Sequence, residues 1–165
     1  MLIREIKKEE LTECLELIHR SFKTVADKFG FTRENCPGHN AFMPMEKLEN
    51  FWNWGFKMYG FFEGTGEQYT LCGYLSLSRI PGHENVIGLH NLCVSPDKRG
   101  LGYGNMLLNF AKKQARAMGG KIFFIDFIDE YTELKNWYLK KGFTFIGTEK
   151  YDHLPFTVGK AEMIL

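Results

Sequence analysis

The stretch Val86 to Leu108, VIGLHNLCVSPDKRGLGYGNMLL, runs a strand-like segment through a turn with three alternating glycines, Gly100, Gly102 and Gly104, into an apolar helical pattern. The first turn of a helix has backbone N–H groups without internal partners, and they carry the positive end of the helix dipole. Glycines let an anion approach that backbone without meeting side chains. Lys98 and Arg99 add charge at the same entrance. A ligand carrying a pyrophosphate is the leading reading. The dinucleotide pattern G-x-G-x-x-G fails, because Asn105 stands where the third glycine belongs. The Gly-Lys-Ser/Thr ending of a nucleotide-triphosphate loop is absent, although a nucleotide-binding protein of unrelated type stays open.

The rest of the chain frames this stretch. Leu11, Cys14, Leu15, Ile18, Phe22, Val25 and Phe29 recur at helical steps, and Gly30 follows as a stop. Residues 31–44, rich in turn formers, read as a loop, and residues 45–54 as a short helix ending at Gly55. FKMYGFF and QYTLCGYLSLS read as strands joined by the hairpin-like EGTGE, and VIGLHNLCV as a strand after the turn IPGHEN. Leu107, Phe110, Ala111, Ala115 and Met118 share a helical stripe closed by Gly119-Gly120. KIFFIDFI predicts a buried strand, Thr132 to Lys141 a short helix stopped by Gly142, and FTFIGTEKY and FTVGKAEMIL two final strands. The order predicts an α/β (α+β) fold, a mixed sheet with helices on both faces, formed as one domain over residues 1–165.

Composition narrows the function classes. Hydrophobic residues make up 44% and charged residues 25%, and the 15 phenylalanines predict an aromatic core. A formal net charge of +1 gives no general attraction to nucleic acid or to a membrane surface. No apolar stretch reaches membrane-spanning length, and MLIREIKKEE lacks the apolar run of a signal peptide. Cys14, Cys36, Cys72 and Cys93 show no paired framework, which predicts reduced thiols and a cytoplasmic protein. Cys36 and His39 have metal-like spacing, but two ligands do not make a metal site, and no metal is expected.

Arg-x-x-Gly-x-Gly, here Arg99-Gly100-Leu101-Gly102-Tyr103-Gly104, together with WYLKKGF over Trp137 to Phe143, resembles the acyl-CoA-binding signature and the tyrosine-bearing helix of the GNAT superfamily of N-acetyltransferases. The resemblance covers about Val86 to Phe143. It implies a mostly antiparallel sheet of six to seven strands. It also implies acetyl-CoA as co-substrate and a small-molecule or peptide amine as acceptor, with a homodimer allowed. By similarity, the backbone of Leu92, Cys93 and Val94 pairs with the pantetheine arm and stabilises the oxyanion. The amides of Gly100, Leu101, Gly102, Tyr103, Gly104 and Asn105, beside Arg99, hold the pyrophosphate. Tyr131 stands where many members carry an asparagine that contacts pantetheine.

Tyr138 matches the family's general acid. A thiol of pKa about 8.5 cannot draw a proton from a phenol of about 10 without a cost of roughly 2 kcal/mol. Tyr138 is therefore either acidified by its site or acts mainly as a hydrogen-bond donor. A base is also needed, because an alkylamine of pKa about 10.4 is neutral in fewer than about one molecule in a thousand at pH 7. His90 ranks first, since strand alternation places it on the face of Leu92 and Val94. Asp126 in FFIDFID follows, then Glu84 in the loop PGHEN. Alternation turns Cys93 away from His90 and makes it a core thiol. The loop from Gly30 to Phe42 is expected to wall the acceptor pocket, offering Phe31, Glu34, Asn35, His39 and Phe42, while Phe42, Met43, Phe61 and Tyr74 are candidates for an apolar cleft. A non-catalytic module that senses acyl-CoA is the alternative function.

Overall fold

The computed structural model describes residues 1–65 and 68–165, so part of the EGTGE connection lies outside the described residues. The chain forms β1 (Leu2–Glu5), α1 (Leu11–Phe29), α2 (Met45–Asn53), β2 (Lys57–Thr65), β3 (Gln68–Ile80), β4 (His83–Val94), α3 (Tyr103–Ala117), β5 (Ile122–Ile128), α4 (Thr132–Lys140), β6 (Thr144–Lys150) and β7 (Thr157–Ile164). The seven strands make one sheet in the order β1-β2-β3-β4-β5-β7-β6. Every pairing is antiparallel except that of β4 with β5.

The apolar patterns locate the two helical layers. On one face Leu107, Leu108, Ala111 and Ala115 of α3 and Tyr138 of α4 pack against Leu75, Leu77, Ile87, Leu89, Phe123 and Ile125 of the sheet. On the other, Leu11, Cys14, Leu17 and Ile18 of α1 and Leu48 of α2 cover Met58, Leu71, Tyr74 and Cys93. A third cluster, Ala26, Phe31, Cys36 and Ala41, ties the loop after α1 down onto that helix. All four cysteines are free and buried. Among the described residues, no helix is long and apolar enough to cross a membrane.

Two differences from the sequence reading have local causes. LIREI is a short apolar start by pattern, yet its first part is β1, made a strand by its partner β2, with Ile3 opposite Phe61. Four residues are too few for alternation to register without that partner. The strand expected from Val86 begins at His83, because the turn between β3 and β4 shrinks to Pro81-Gly82, with Gly82 at φ +76°. Proline sets the first turn dihedral and glycine accepts the positive second one.

The strand that follows decides the site. β4 pairs with β5 only at Val86↔Ile122, Ile87↔Phe123 and Gly88↔Phe124, and beyond Gly88 the two strands part. β4 also carries a bulge. Between Tyr74↔Cys93 and Ser76↔His90 it has one residue more than β3, and Asn91 takes φ +54°.

Leu107 is fully buried where α3 meets the sheet. Leu107→Ala is expected to lower the unfolding free energy by about 2–5 kcal/mol, measured by denaturant titration.

Candidate active site

Where β4 leaves β5, a wedge opens between them, and two adjoining cavities of about 470 and 400 Å³ occupy it. The larger lies at the α3 end and is bordered by Leu92, Cys93, Val94, Lys98, Arg99 and the glycine turn. The smaller is bordered by His90, Asn91, Asp126 and the loop at Gly38, His39 and Asn40. Tyr138 borders both.

At the mouth of the larger cavity, Gly102 caps α3 at φ +85° and Gly100 holds φ +80°. A Cβ at either would meet nothing within 4 Å, so backbone conformation rather than space demands glycine there. Gly104 differs: a Cβ there would touch Trp137 at 3.6 Å. The first intrahelical bond runs from the Met106 amide to the Gly102 carbonyl, leaving the amides of Tyr103, Gly104 and Asn105 without intrahelical acceptors. Leu101 is exposed, and the Tyr103 ring is buried with its hydroxyl donating to Glu63 Oε1 at 2.6 Å.

The two cations at this entrance are not equivalent. Lys98 is ion-paired to Glu63 at 2.5 Å. The Arg99 guanidinium donates to Thr24 Oγ1 at 2.9 Å, the Ser21 carbonyl at 2.8 Å and the Val94 carbonyl at 3.3 Å. All three acceptors are neutral, so the positive charge stays uncompensated while the side chain pins the turn to α1.

Tyr138 is buried on α4 in edge contact with Phe143, the residue that follows the helix-ending Gly142. Burial, with Asp126 nearby, pushes its phenol far above the ordinary range. The site therefore does not acidify Tyr138, and the hydroxyl keeps its proton at neutral pH.

His90 differs from the sequence expectation in orientation. The bulge at Asn91 breaks the alternation, so Leu92 and Val94 face the α3 side. His90 instead pairs with Ser76 and packs on Phe56, on the α1 and α2 side, where Cys93 also lies. His90 Nε2 is 2.8 Å from the Ser78 hydroxyl, and burial lowers its pKa against an opposing pull from Asp126. Cys93 remains a core thiol despite sharing that face, with burial pushing it up to about 12.

Asp126 is exposed, borders the smaller cavity and is close enough to act on both His90 and Tyr138. Glu84 does not join them. It sits near the start of β4, six positions before His90 and so roughly 20 Å away along an extended strand, and borders neither cavity. Among the described residues, no three His, Cys, Asp or Glu side chains converge as a metal would require.

The loop after α1 walls the smaller cavity through other residues than the pattern suggests. Of the expected five, His39 alone borders it, together with Gly38 and Asn40. Phe31 is buried in the third cluster and Phe42 packs against it. Glu34 is exposed, and the Asn35 side chain closes a turn with the Thr32 amide at 2.8 Å. Met43, Phe61 and Tyr74 are core rather than cleft. The Ala41 amide donates to His39 Nδ1 at 3.2 Å, which leaves the His39 proton on Nε2. Sequence reasoning missed Asn91, whose Oδ1 is buried with no hydrogen-bond partner among the described residues. Its backbone strain is invisible until the register is known. Phe22 and Val25, read only as members of the helical repeat, also border the wedge. Tyr131 borders both cavities, with the Lys28 ammonium 4.9 Å from its ring centre.

Gly102→Ala puts alanine in a left-handed conformation, and the expected cost is about 1–2 kcal/mol of stability by denaturant titration. Burial lowers the pKa of both His39 and His90. Below about pH 6.5 the unfolded chain therefore takes up protons that the folded one refuses. Stability that is full above that pH is expected to decline as the pH falls from 7 to 5, and H39Q/H90Q is expected to flatten the decline.

The sequence matches the model of the Acetyltransferase (GNAT) family over residues 28–143. Solved structures of similar fold include ribosomal-protein-alanine N-acetyltransferase from Brucella melitensis, with a TM-score of 0.71, 19% identity and full coverage of both chains. An acetyltransferase from Salmonella typhimurium with its cofactor acetyl-CoA is similar at a TM-score of 0.70 and 16% identity, over 99% of this chain and 93% of that one. An aminoglycoside 6'-N-acetyltransferase complexed with coenzyme A follows at 0.67 and 16%, over 99% and 97%. No curated protein sequence matches significantly. The structural likenesses establish the fold, and the family match spans most of the chain, glycine turn and Tyr138 helix included: the protein belongs to the GNAT family of acetyltransferases.

Proposed function

We propose that the chain moves an acetyl group from acetyl-CoA to a primary amine by direct attack. The observation that carries this reading is the position of Tyr138 on the border of both cavities. One cavity ends on the bare amides of a helix, and the other holds His90 and Asp126. In this reading the first-turn amides from Gly102 to Asn105 hold the pyrophosphate, with Arg99 supplying long-range charge. The edge of Leu92, Cys93 and Val94 that faces away from β3 has no β5 partner, and it takes the pantetheine arm. An amide near Leu92 stabilises charge developing on the thioester oxygen.

Neutral His90 is the base that takes the proton of the incoming ammonium, and Asp126 flanks it. Tyr138 donates a hydrogen bond to the departing thiolate. It does not transfer its proton outright, since burial widens the gap that already disfavours transfer. Isothermal calorimetry is expected to show acetyl-CoA binding in the micromolar range. Tyr138→Phe is expected to lower kcat about 10²-fold with acetyl-CoA affinity nearly unchanged. Equal turnover would remove Tyr138 from the mechanism. Acetyl-CoA binding without thiol release on any amine would instead support an acyl-CoA sensor, the reading that the Tyr131 departure favours.

A further inference from the structure

The smaller cavity carries information about the acceptor. Its lining is dominated by apolar and aromatic side chains, including Phe22, Phe51, Phe127, Phe156, Leu89 and Leu154. Among the described residues that border it, Asp126 and Lys47 alone are formally charged at neutral pH. Other carboxylates near that end of the sheet are already engaged. Asp129 is paired with Lys135 at 2.6 Å, Glu130 accepts from the Thr157 amide at 2.9 Å, and Glu149 is paired with Lys160. Asp126 forms no such pair among the described residues.

Asn91 borders the same cavity. Asn91 Oδ1 is closed off from solvent and has no hydrogen-bond partner among the described residues, and its backbone is held at φ +54°. Buried polar groups are normally hydrogen-bonded, and left-handed backbone outside glycine persists where the surroundings enforce it.

We propose that this cavity takes a primary monoamine on a compact, aromatic-sized apolar body, its ammonium drawn to Asp126. The proposal rests on the amine-acetyltransferase reading above and names its substrate class. A polyamine or aminosugar would need further anionic partners for its other cations, and Asp126 is the one formal anion among the described residues that border the cavity. A peptide chain would bring backbone polar groups into a cavity of about 400 Å³ whose walls are mostly apolar.

The test is a thiol-release assay with acetyl-CoA and four acceptors: phenethylamine, ethylamine, spermidine and a short peptide with N-terminal alanine. The expected kcat/KM for phenethylamine exceeds each of the others by at least about tenfold, the scale on which an apolar pocket discriminates. Phe51→Ala is expected to collapse the ratio of phenethylamine to ethylamine, and Asp126→Asn to raise KM for phenethylamine more than it lowers kcat. Spermidine or the peptide matching or exceeding phenethylamine overturns the substrate class and leaves the transferase standing. An unchanged ratio in Phe51→Ala overturns it equally. Thiol release with none of the four, beside intact acetyl-CoA binding, overturns the transferase reading and this one with it.

Discussion

Among the described residues, three register pairs between β4 and β5 are the only parallel pairing in the sheet, and the features of the site depend on where that pairing stops. Backbone groups in a sheet are normally satisfied on both sides of a central strand. Past Gly88, β4 keeps its bonds to β3 and loses those to β5, which gives an open peptide edge inside the molecule. The bulge at Asn91 falls at this place. Without the extra residue, Leu92 and Val94 would share the face of His90, toward α1 and α2; with it, they turn to the α3 face, and His90 stays on the side where Asp126 also points.

The rest of the fold holds the wedge open and keeps it chemically quiet. Arg99 fastens the glycine turn to α1 through three neutral oxygens, fixing the mouth of α3 without neutralising its positive field. Lys98 is restrained by Glu63, which also accepts from the Tyr103 hydroxyl. Burial favours the uncharged forms of Tyr138, His90 and Cys93. Where the lining is buried, the dipoles that face a bound anion or a departing thiolate act more strongly, because local dielectric screening is weak.

Much of this was legible in the chain. The helical stripe of α3, its glycine entry and the apolar run of β5 are local patterns with local causes, and they were read correctly to within a few residues. The pattern from Thr132 to Lys141 with its stop at Gly142 marked α4 because those signals are local as well, while Tyr138 was singled out by the family resemblance of WYLKKGF. Three readings depended on partners. β1 needed β2 to be seen as a strand. The face of His90 needed the β3 register. The irrelevance of Glu84 to the cavities needed the short Pro81-Gly82 turn, which draws residues 83–85 into the strand and away from the site.

Period and turn chemistry in the residues alone settled the order of elements from α1 onward, the layered α/β arrangement and an anion-ready helix mouth, because each depends on neighbours a few positions apart. The parting of β4 from β5, the bulge at Asn91 and the meeting of His90, Asp126 and Tyr138 around one wedge came from folding in three dimensions. Strand alternation has a period of two, and a single added residue reverses every side chain beyond it. Where that residue is inserted is set by pairing with a strand more than ten positions away, which no local pattern records.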